Sequence, residues 1–134
     1  MASLQLLHQW CERFRQADLL EQYDILLEQG MKLKEDAAVC LEENKIPGCK
    51  VNFYLKADRR GGKLEIRARS DSLLVCGVIA ILKEIYEGDT EEIRAEDSPI
   101  KLVEAIEDRI INPDIKRNGL KKLCEAMETA AEAR

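Results

Sequence analysis

The stretch "VNFYLKADRRGGKLEIRARS", residues 51–70, alternates apolar and polar side chains on both sides of a glycine pair. A period of two is typical of a β-strand with one buried face and one solvated face. Gly61 and Gly62 can adopt the positive φ angles that a tight hairpin turn requires. We therefore predict an antiparallel hairpin whose outer face is basic. Ile46, just before it, could supply a short third strand that ends at Pro47.

Amphipathic segments precede this hairpin. Apolar residues at helical spacing predict one helix near the N-terminus and a second that begins at Ala17 and Asp18 and ends at Gly30. The apolar positions of these two helices are Leu4, Leu7, Trp10, Cys11 and Phe14, then Leu19, Leu20, Tyr23, Leu26 and Leu27. Residues 31–45 are mostly polar and indicate at most a short helical turn.

A long apolar helix is predicted directly after the hairpin, in "SDSLLVCGVIAILKEIYEG" (residues 70–88). Ser70 or Asp71 can cap its start, because a side-chain oxygen can accept an otherwise unpaired backbone N–H of the first turn. The segment is apolar on all sides until Leu82, so it should pack on the hairpin's apolar face, with Gly77 allowing a close approach. Further helices are predicted near Thr90, at Ser98 and Pro99, and after Gly119.

Together these elements predict an α+β fold in a single domain that spans residues 1–134. A small antiparallel sheet of two or three strands is packed on one face by helices, in the order two helices, the strands, then three or four helices. A chain of 134 residues can bury enough surface to fold without disulfides or a metal.

Cysteine and histidine content argues against several classes of site. The five cysteines are an odd number without a C-x-x-C pair, and His8 is the sole histidine, so no zinc or iron–sulfur spacing is present. No secretion signal is recognisable, and the longest apolar run, residues 73–82, is too short to span a membrane. We expect a cytoplasmic protein with reduced thiols, no cofactor, no metal and no membrane association.

Charge is unevenly distributed along the chain. The net charge is −5, yet residues 50–69 contain seven basic and two acidic residues, which leaves +5 there and −10 on the remainder. A basic patch on an acidic body can attract an acidic partner protein, or it can be the solvated face of a strand. Nucleic acid is a weaker interpretation, because the acidic body would repel phosphate and the patch has only Phe53 and Tyr54 as aromatic residues.

Cys49 is the cysteine with the context of a working thiol. It follows Pro47 and Gly48 on a turn ahead of the first strand, and Lys50 favours its thiolate, which is the nucleophilic form. Cys40 lies on a polar segment, and its role is left open. The other cysteines have apolar neighbours within helices and are interpreted as core residues: Cys11, Cys76 and Cys124.

Four motifs in order resemble the SufE family of sulfur-acceptor proteins. They are "LLEQYDILLEQG" (residues 19–30), "PGCKVNFYL" (47–55), "SDSLLVCGVIAIL" (70–82) and "KRNGLKKL" (116–123). The second motif lies where the family has its Gly-Cys pair ahead of a strand, which corresponds to Gly48 and Cys49. The fourth is similar to an arginine-containing Asn-Gly-Leu motif.

The resemblance implies a role in iron–sulfur cluster assembly. Cys49 would take persulfide sulfur from a SufS-like cysteine desulfurase and stimulate that enzyme, so the chain is an accessory protein rather than a standalone enzyme. Lys50, Asp71 and either Lys116 or Arg117 would position the loop or the partner. The Cys49 loop would switch between an inward, protected position and an outward, reactive one, in a monomer or weak homodimer.

Two other functions stay open at this point. An iron–sulfur assembly scaffold would need about three convergent thiolate or imidazole ligands, and Cys49 has no evident companions in the sequence. A protein-interaction module would use the basic hairpin face for docking, and Cys49 would then be incidental. Neither alternative involves nucleic acid or a membrane.

Overall fold

The computed structural model describes residues 2–33, 37–46, 53–60, 63–87, 98–107, 110 and 117–132. These residues form five α-helices, one hairpin and two short 3₁₀ turns, Ala37–Val39 and Glu42–Asn44. The helices and strands are α1 (Ala2–Gln16), α2 (Leu19–Gly30), β1 (Phe53–Arg60), β2 (Lys63–Ser70), α3 (Leu73–Tyr86), α4 (Ile100–Ala105) and α5 (Arg117–Glu132). The α+β class and the order of elements are confirmed. None of the described helices is long and apolar enough to cross a membrane.

The hairpin has the predicted antiparallel pairing. Its register runs from Phe53 opposite Ser70 to Arg60 opposite Lys63. The buried face consists of alternate residues of both strands, Phe53, Leu55, Leu64, Ile66 and Ala68. Period-two alternation therefore identified correctly which face of the sheet is buried.

The third strand is smaller than predicted. Lys45 forms an isolated antiparallel bridge with Tyr54, and the backbone N–H of Ile46 donates to the carbonyl oxygen of Phe53 at 2.9 Å. The sheet accordingly has two strands in the part of the chain that is described. A single bridge at this point brings the residues on either side of the segment 47–52 together.

Helix α3 lies at the centre of the core. Nine of its fourteen residues are buried, and it packs against both α2 and β2. Gly77 does allow a close approach, but the neighbour is α2 rather than the hairpin: a Cβ at Gly77 would overlap the carbonyl oxygen of Leu26. Gly30 makes the reciprocal contact, since a Cβ there would overlap the carbonyl oxygen of Leu73. Two glycines thus let α2 and α3 approach backbone to backbone.

The N-terminal caps differ in part from expectation. Asp18 caps α2, because its carboxylate accepts the backbone N–H of Glu21 at 2.9 Å. Helix α3 is capped by Ser72, whose Oγ accepts the N–H of Val75 at 3.3 Å. Neither Ser70 nor Asp71 takes that role; Ser70 Oγ accepts the N–H of Ser72 instead. The helix starts later because Ser70 still pairs in the hairpin.

The C-terminal helices complete the core. Ser98 Oγ accepts the N–H of Ile100 and donates to the carboxylate of Glu128 at 2.6 Å, which ties α4 to α5. Helix α5 begins at Arg117, before Gly119 rather than after it. Three apolar residues of this helix are buried in the core: Leu123, Cys124 and Met127. The helix expected near Thr90 lies outside the described residues.

Candidate functional site

A cleft of about 430 Å³ opens where the end of β2 meets the end of α2 and the start of α3. Its lining comes from three separate parts of the sequence: Gly30, Met31, Leu33, Ala68, Arg69, Ser70, Asp71, Leu73 and Cys76. Helices α2 and α3 approach closely where Gly30 meets Leu73, and both Met31 and Leu73 line the cleft. The cleft is therefore apolar on its helical side and polar along the end of the strand.

The hairpin register determines what else lies at this end of the molecule. Phe53, which opens β1, is paired with Ser70, which closes β2 and lines the cleft. The backbone bond from Ile46 to Phe53 closes the segment 47–52 at the same end. Cys49, Lys50 and Lys116 lie outside the described residues. Their predicted roles stay predictions.

Two other predicted site residues belong to the described part of the chain. Asp71 lines the cleft with an exposed side chain, and the capping of α3 is left to Ser72. The predicted role of Asp71 in positioning the loop or the partner stays a prediction. Arg117 is the first residue of α5, and its side chain is not described.

Cys76 is a residue of the cleft that sequence reasoning assigned to the core. Its side chain is half-buried, and the Sγ–H donates to the carbonyl oxygen of Ser70 at 3.5 Å. Burial raises the pKa of the Cys76 thiol, and the nearby Arg69 charge acts in the opposite direction. A signal was available: Cys76 lies seven and eleven residues before Lys83 and Glu87, which places it on the same polar face of α3.

The remaining described cysteines divide by environment. Cys11 and Cys124 are buried, as predicted for core residues. Burial, reinforced by the charges of Glu128 and Glu125, raises the pKa of the Cys124 thiol to about 12. Cys40 is half-buried, and an Arg69 guanidinium N–H donates to its Sγ at 3.7 Å. Arg69 thus contacts one thiol and lines the cleft that contains another.

A larger hollow of about 750 Å³ runs along α1, and the described residues that line it, among them His8, all belong to that helix. A surface made by one helix encloses little space, so it offers a ligand few directions of contact. Among the described residues, no three histidine, cysteine, aspartate or glutamate side chains converge as metal ligands would. The cleft at the end of the hairpin is the stronger candidate.

These features define a small α+β protein with a thiol-lined cleft beside the open end of a two-stranded sheet. The family model of SufE, described as an Fe-S metabolism associated domain, matches residues 8–131. The chain is also similar to an uncharacterized SufE-like protein of Synechocystis sp., with 32% identity over 126 residues that cover 91% of this chain and 77% of that protein. The chain belongs to the SufE family, and the resemblance drawn from its motifs is confirmed.

Proposed function

We propose that this protein accepts persulfide sulfur on Cys49 from a cysteine desulfurase and stimulates desulfuration for iron–sulfur cluster assembly. One observation carries the proposal. In this chain of the SufE family, the Ile46–Phe53 hydrogen bond joins the two ends of segment 47–52, which contains Cys49 and which we call the Cys49 segment. The pairing of Phe53 with Ser70 puts those ends beside the cleft. We also propose that residues 1–134 act as one SufE-like domain in the cytoplasm, as a monomer or weak homodimer.

The transfer is a thiol–disulfide type of exchange. The Cys49 thiolate attacks the terminal sulfur of a persulfide on the donor cysteine, and a new sulfur–sulfur bond forms as the donor's bond breaks. The electron pair of the broken bond leaves with the donor sulfur as a thiolate, and Cys49 carries the persulfide. Atoms and electrons balance without an outside oxidant or reductant.

The short distance along the chain from Ile46 to Cys49 supports the cleft as a shelter for this persulfide. Cys49 follows Ile46 by three residues, so covalent geometry holds their Cα atoms within roughly 11 Å of each other. Ile46 is bonded to Phe53, whose partner Ser70 lines the cleft. A sulfur turned inward could therefore be sheltered against Leu33 and its apolar neighbours. Turned outward, it could meet the donor.

Charge around the cleft suits an anionic sulfur. Arg69 is one of the residues that line the cleft, and a nearby positive charge favours a thiolate or persulfide anion. Asp71, on the same rim, is proposed to position the loop or the partner through hydrogen bonds. Lys50 and either Lys116 or Arg117 are proposed to contact the acidic surface of the partner.

The test mixes the protein with a SufS-like desulfurase and cysteine, and measures both stimulation and intact mass. We expect one added sulfur atom, mapped to the peptide that contains Cys49. Cys49→Ser should lose the added sulfur and the stimulation, whereas Cys40→Ser, a change to another thiol near the hairpin, should keep both. Unchanged stimulation by Cys49→Ser would refute the proposal.

A further inference from the structure

Helix α2 carries more apolar surface than the fold covers. Its buried face consists of Gln22, Ile25, Leu26, Gln29 and Gly30. Four other apolar residues follow one another at spacings of three and four along a neighbouring face: Leu20, Tyr23, Leu27 and Met31. Leu20 and Met31 are 71% and 77% exposed, Tyr23 is 42% exposed, and Leu27 is half-buried. We call these four residues the α2 stripe.

Several apolar positions of this helix are left in solvent by the fold. Leu19, Leu20 and Tyr23 are all exposed. Isolated exposed apolar side chains are ordinary on protein surfaces. An exposed row over three turns, about 16 Å long at 1.5 Å per residue, is instead typical of an interaction site.

A row of acidic residues runs beside the α2 stripe. Glu21, Asp24 and Glu28 repeat at spacings of three and four and are all exposed. None of the three is in an ion pair with another described residue. At about 100° per residue, the row occupies the strip of helix surface next to the α2 stripe, on the side away from the core. The combined surface is apolar along one line and negative along the next.

The α2 stripe ends at the cleft. Met31 is its last residue and also lines the cleft, as does Leu73, which is 42% exposed. The stripe therefore reaches from the start of α2 to the cleft, where Ser70 pairs with Phe53, the described residue that follows the segment containing Cys49. A protein bound along α2 would have part of its surface within reach of that segment.

We propose that the α2 stripe is the docking surface for an amphipathic helix of the sulfur donor, one with lysine or arginine residues beside its apolar face. The identity of this partner rests on the proposed function. Ridges of a second helix pack into the grooves of a straight helical stripe, and basic residues complement Glu21, Asp24 and Glu28. Docking here holds the donor beside the cleft without occupying it.

The experiment uses the full chain with a SufS-like desulfurase and cysteine. The half-saturating concentration for stimulation is measured, together with sulfur uptake by Cys49 in a single turnover at saturating protein. Leu20→Glu should raise the half-saturating concentration about tenfold or more, the effect of losing a binding hot spot. Sulfur uptake by Cys49 at saturating protein should not change, because Leu20 lies about 16 Å along the helix from Met31, the stripe residue that lines the cleft.

Matched variants separate docking from folding. Leu41→Glu alters a side chain that is 50% exposed and lies outside α2, so it should behave as the wild type. Leu20→Ser removes the apolar contact without adding charge, and it should also raise the half-saturating concentration for stimulation. Asp24→Lys with Glu28→Lys should also raise the half-saturating concentration and should flatten its dependence on salt, whereas Glu104→Lys on α4 should not.

The outcomes distinguish this proposal from the function on which it rests. If Cys49 takes up sulfur and the Leu20 variants match the wild type, donor docking on α2 is wrong and sulfur transfer stands. If Cys49 takes up no sulfur, the proposed function fails, and the donor assignment fails with it. If Leu20→Glu changes the sedimentation of the protein measured without the desulfurase and leaves stimulation intact, the α2 stripe binds a second copy of this chain. The donor assignment is then overturned.

Discussion

At the scale of single residues, Gln22 shows how one buried polar side chain joins distant segments. It is 4% exposed, its Nε2 donates to the carbonyl oxygen of Phe14 at 2.8 Å, and its Oε1 accepts the N–H of Glu107 at 3.0 Å. The turn between α1 and α2 is thereby tied to the segment after α4. A polar residue on the inner face of α2 interrupts the apolar pattern, which is why spacing alone did not indicate that face.

Replacing Gln22 with leucine should lower the free energy of unfolding by about 1–3 kcal/mol, because the hydrogen bonds of its buried amide to the Phe14 carbonyl and to the Glu107 N–H would be lost. Gln16→Leu is the matched control: Gln16 is exposed and, within the described part of the chain, its side chain bonds only to Glu12 of the same helix, so its loss should cost about 0.5 kcal/mol or less. Urea unfolding measures both. Equal effects of the two changes would contradict the role given to Gln22.

The Cys124 thiol gives stability a dependence on alkaline pH. Its folded pKa of about 12 lies above the ordinary value of 9.0, so the unfolded chain releases this proton first as the pH rises. The contribution of the Cys124 thiol to the free energy of unfolding is complete below pH 9 and declines between about pH 9 and 12. At pH 10, the loss should be about 1 kcal/mol.

This decline is measured by urea unfolding at pH 7.5 and pH 10. Wild type should lose more stability between the two conditions than Cys124→Ala, which has no thiol to titrate at this position. Comparing differences between pH values removes the constant cost of the cavity that alanine leaves. An identical decline in both proteins would show that Cys124 does not produce the effect.

At the scale of elements, the free edge of the hairpin is covered by side chains of α3. The backbone N–H of Ile66 donates to the Glu87 carboxylate at 3.0 Å, and the Lys83 ammonium donates to the Ile66 carbonyl oxygen at 2.7 Å. Lys83 and Glu87 also pair with each other at 3.4 Å. An open strand edge invites pairing with other chains, and these two residues satisfy its backbone groups at Ile66.

The double change Lys83→Ala with Glu87→Ala should lower the free energy of unfolding by about 1–3 kcal/mol and should increase aggregation. The reason is that the backbone of Ile66 loses both of its partners. Glu84→Ala, an exposed change on the same helix, should do neither. Urea unfolding and light scattering measure the two effects. A double variant as stable and as dispersed as Glu84→Ala would refute the edge-covering role.

At the scale of the whole molecule, one hydrophobic core connects all the helices and both strands. Buried residues of α1, of the hairpin, of α3 and of α5 belong to the same cluster, which includes Trp10, Phe53 and Leu123. The cleft depends on this arrangement, because its lining is drawn from residues 30–33, 68–71 and 73–76. Sequence neighbours alone could not form it.

A single core predicts cooperative unfolding. Trp10, the only tryptophan, is in α1, so its fluorescence reports on the N-terminal helix, and far-ultraviolet circular dichroism reports on all elements. The two probes should give one coincident transition in urea. Separate midpoints would mean that α1 unfolds independently, against a single domain over residues 1–134.

Much of the fold could be predicted from sequence, and less of the site. Alternation over residues 51–70 predicted the hairpin and its buried face, since in a strand the side-chain direction follows directly from position. Asp71, which the family motifs implied as a site residue, lines the cleft, and its role stays a prediction. Cys76 was misassigned because apolar neighbours in sequence do not reveal which side of a helix a neighbouring element leaves open.

The sequence by itself determined the elements, their order and the family, because periodicity and motifs are local properties of the chain. Tertiary structure decided which apolar face of α2 is covered, that Ser72 rather than Asp71 caps α3, and that Cys76 lines a cleft. Those outcomes depend on where distant segments pack. The glycine contact that brings α2 against α3 fixes that packing, and it leaves Leu20, Tyr23 and Met31 of the α2 stripe exposed.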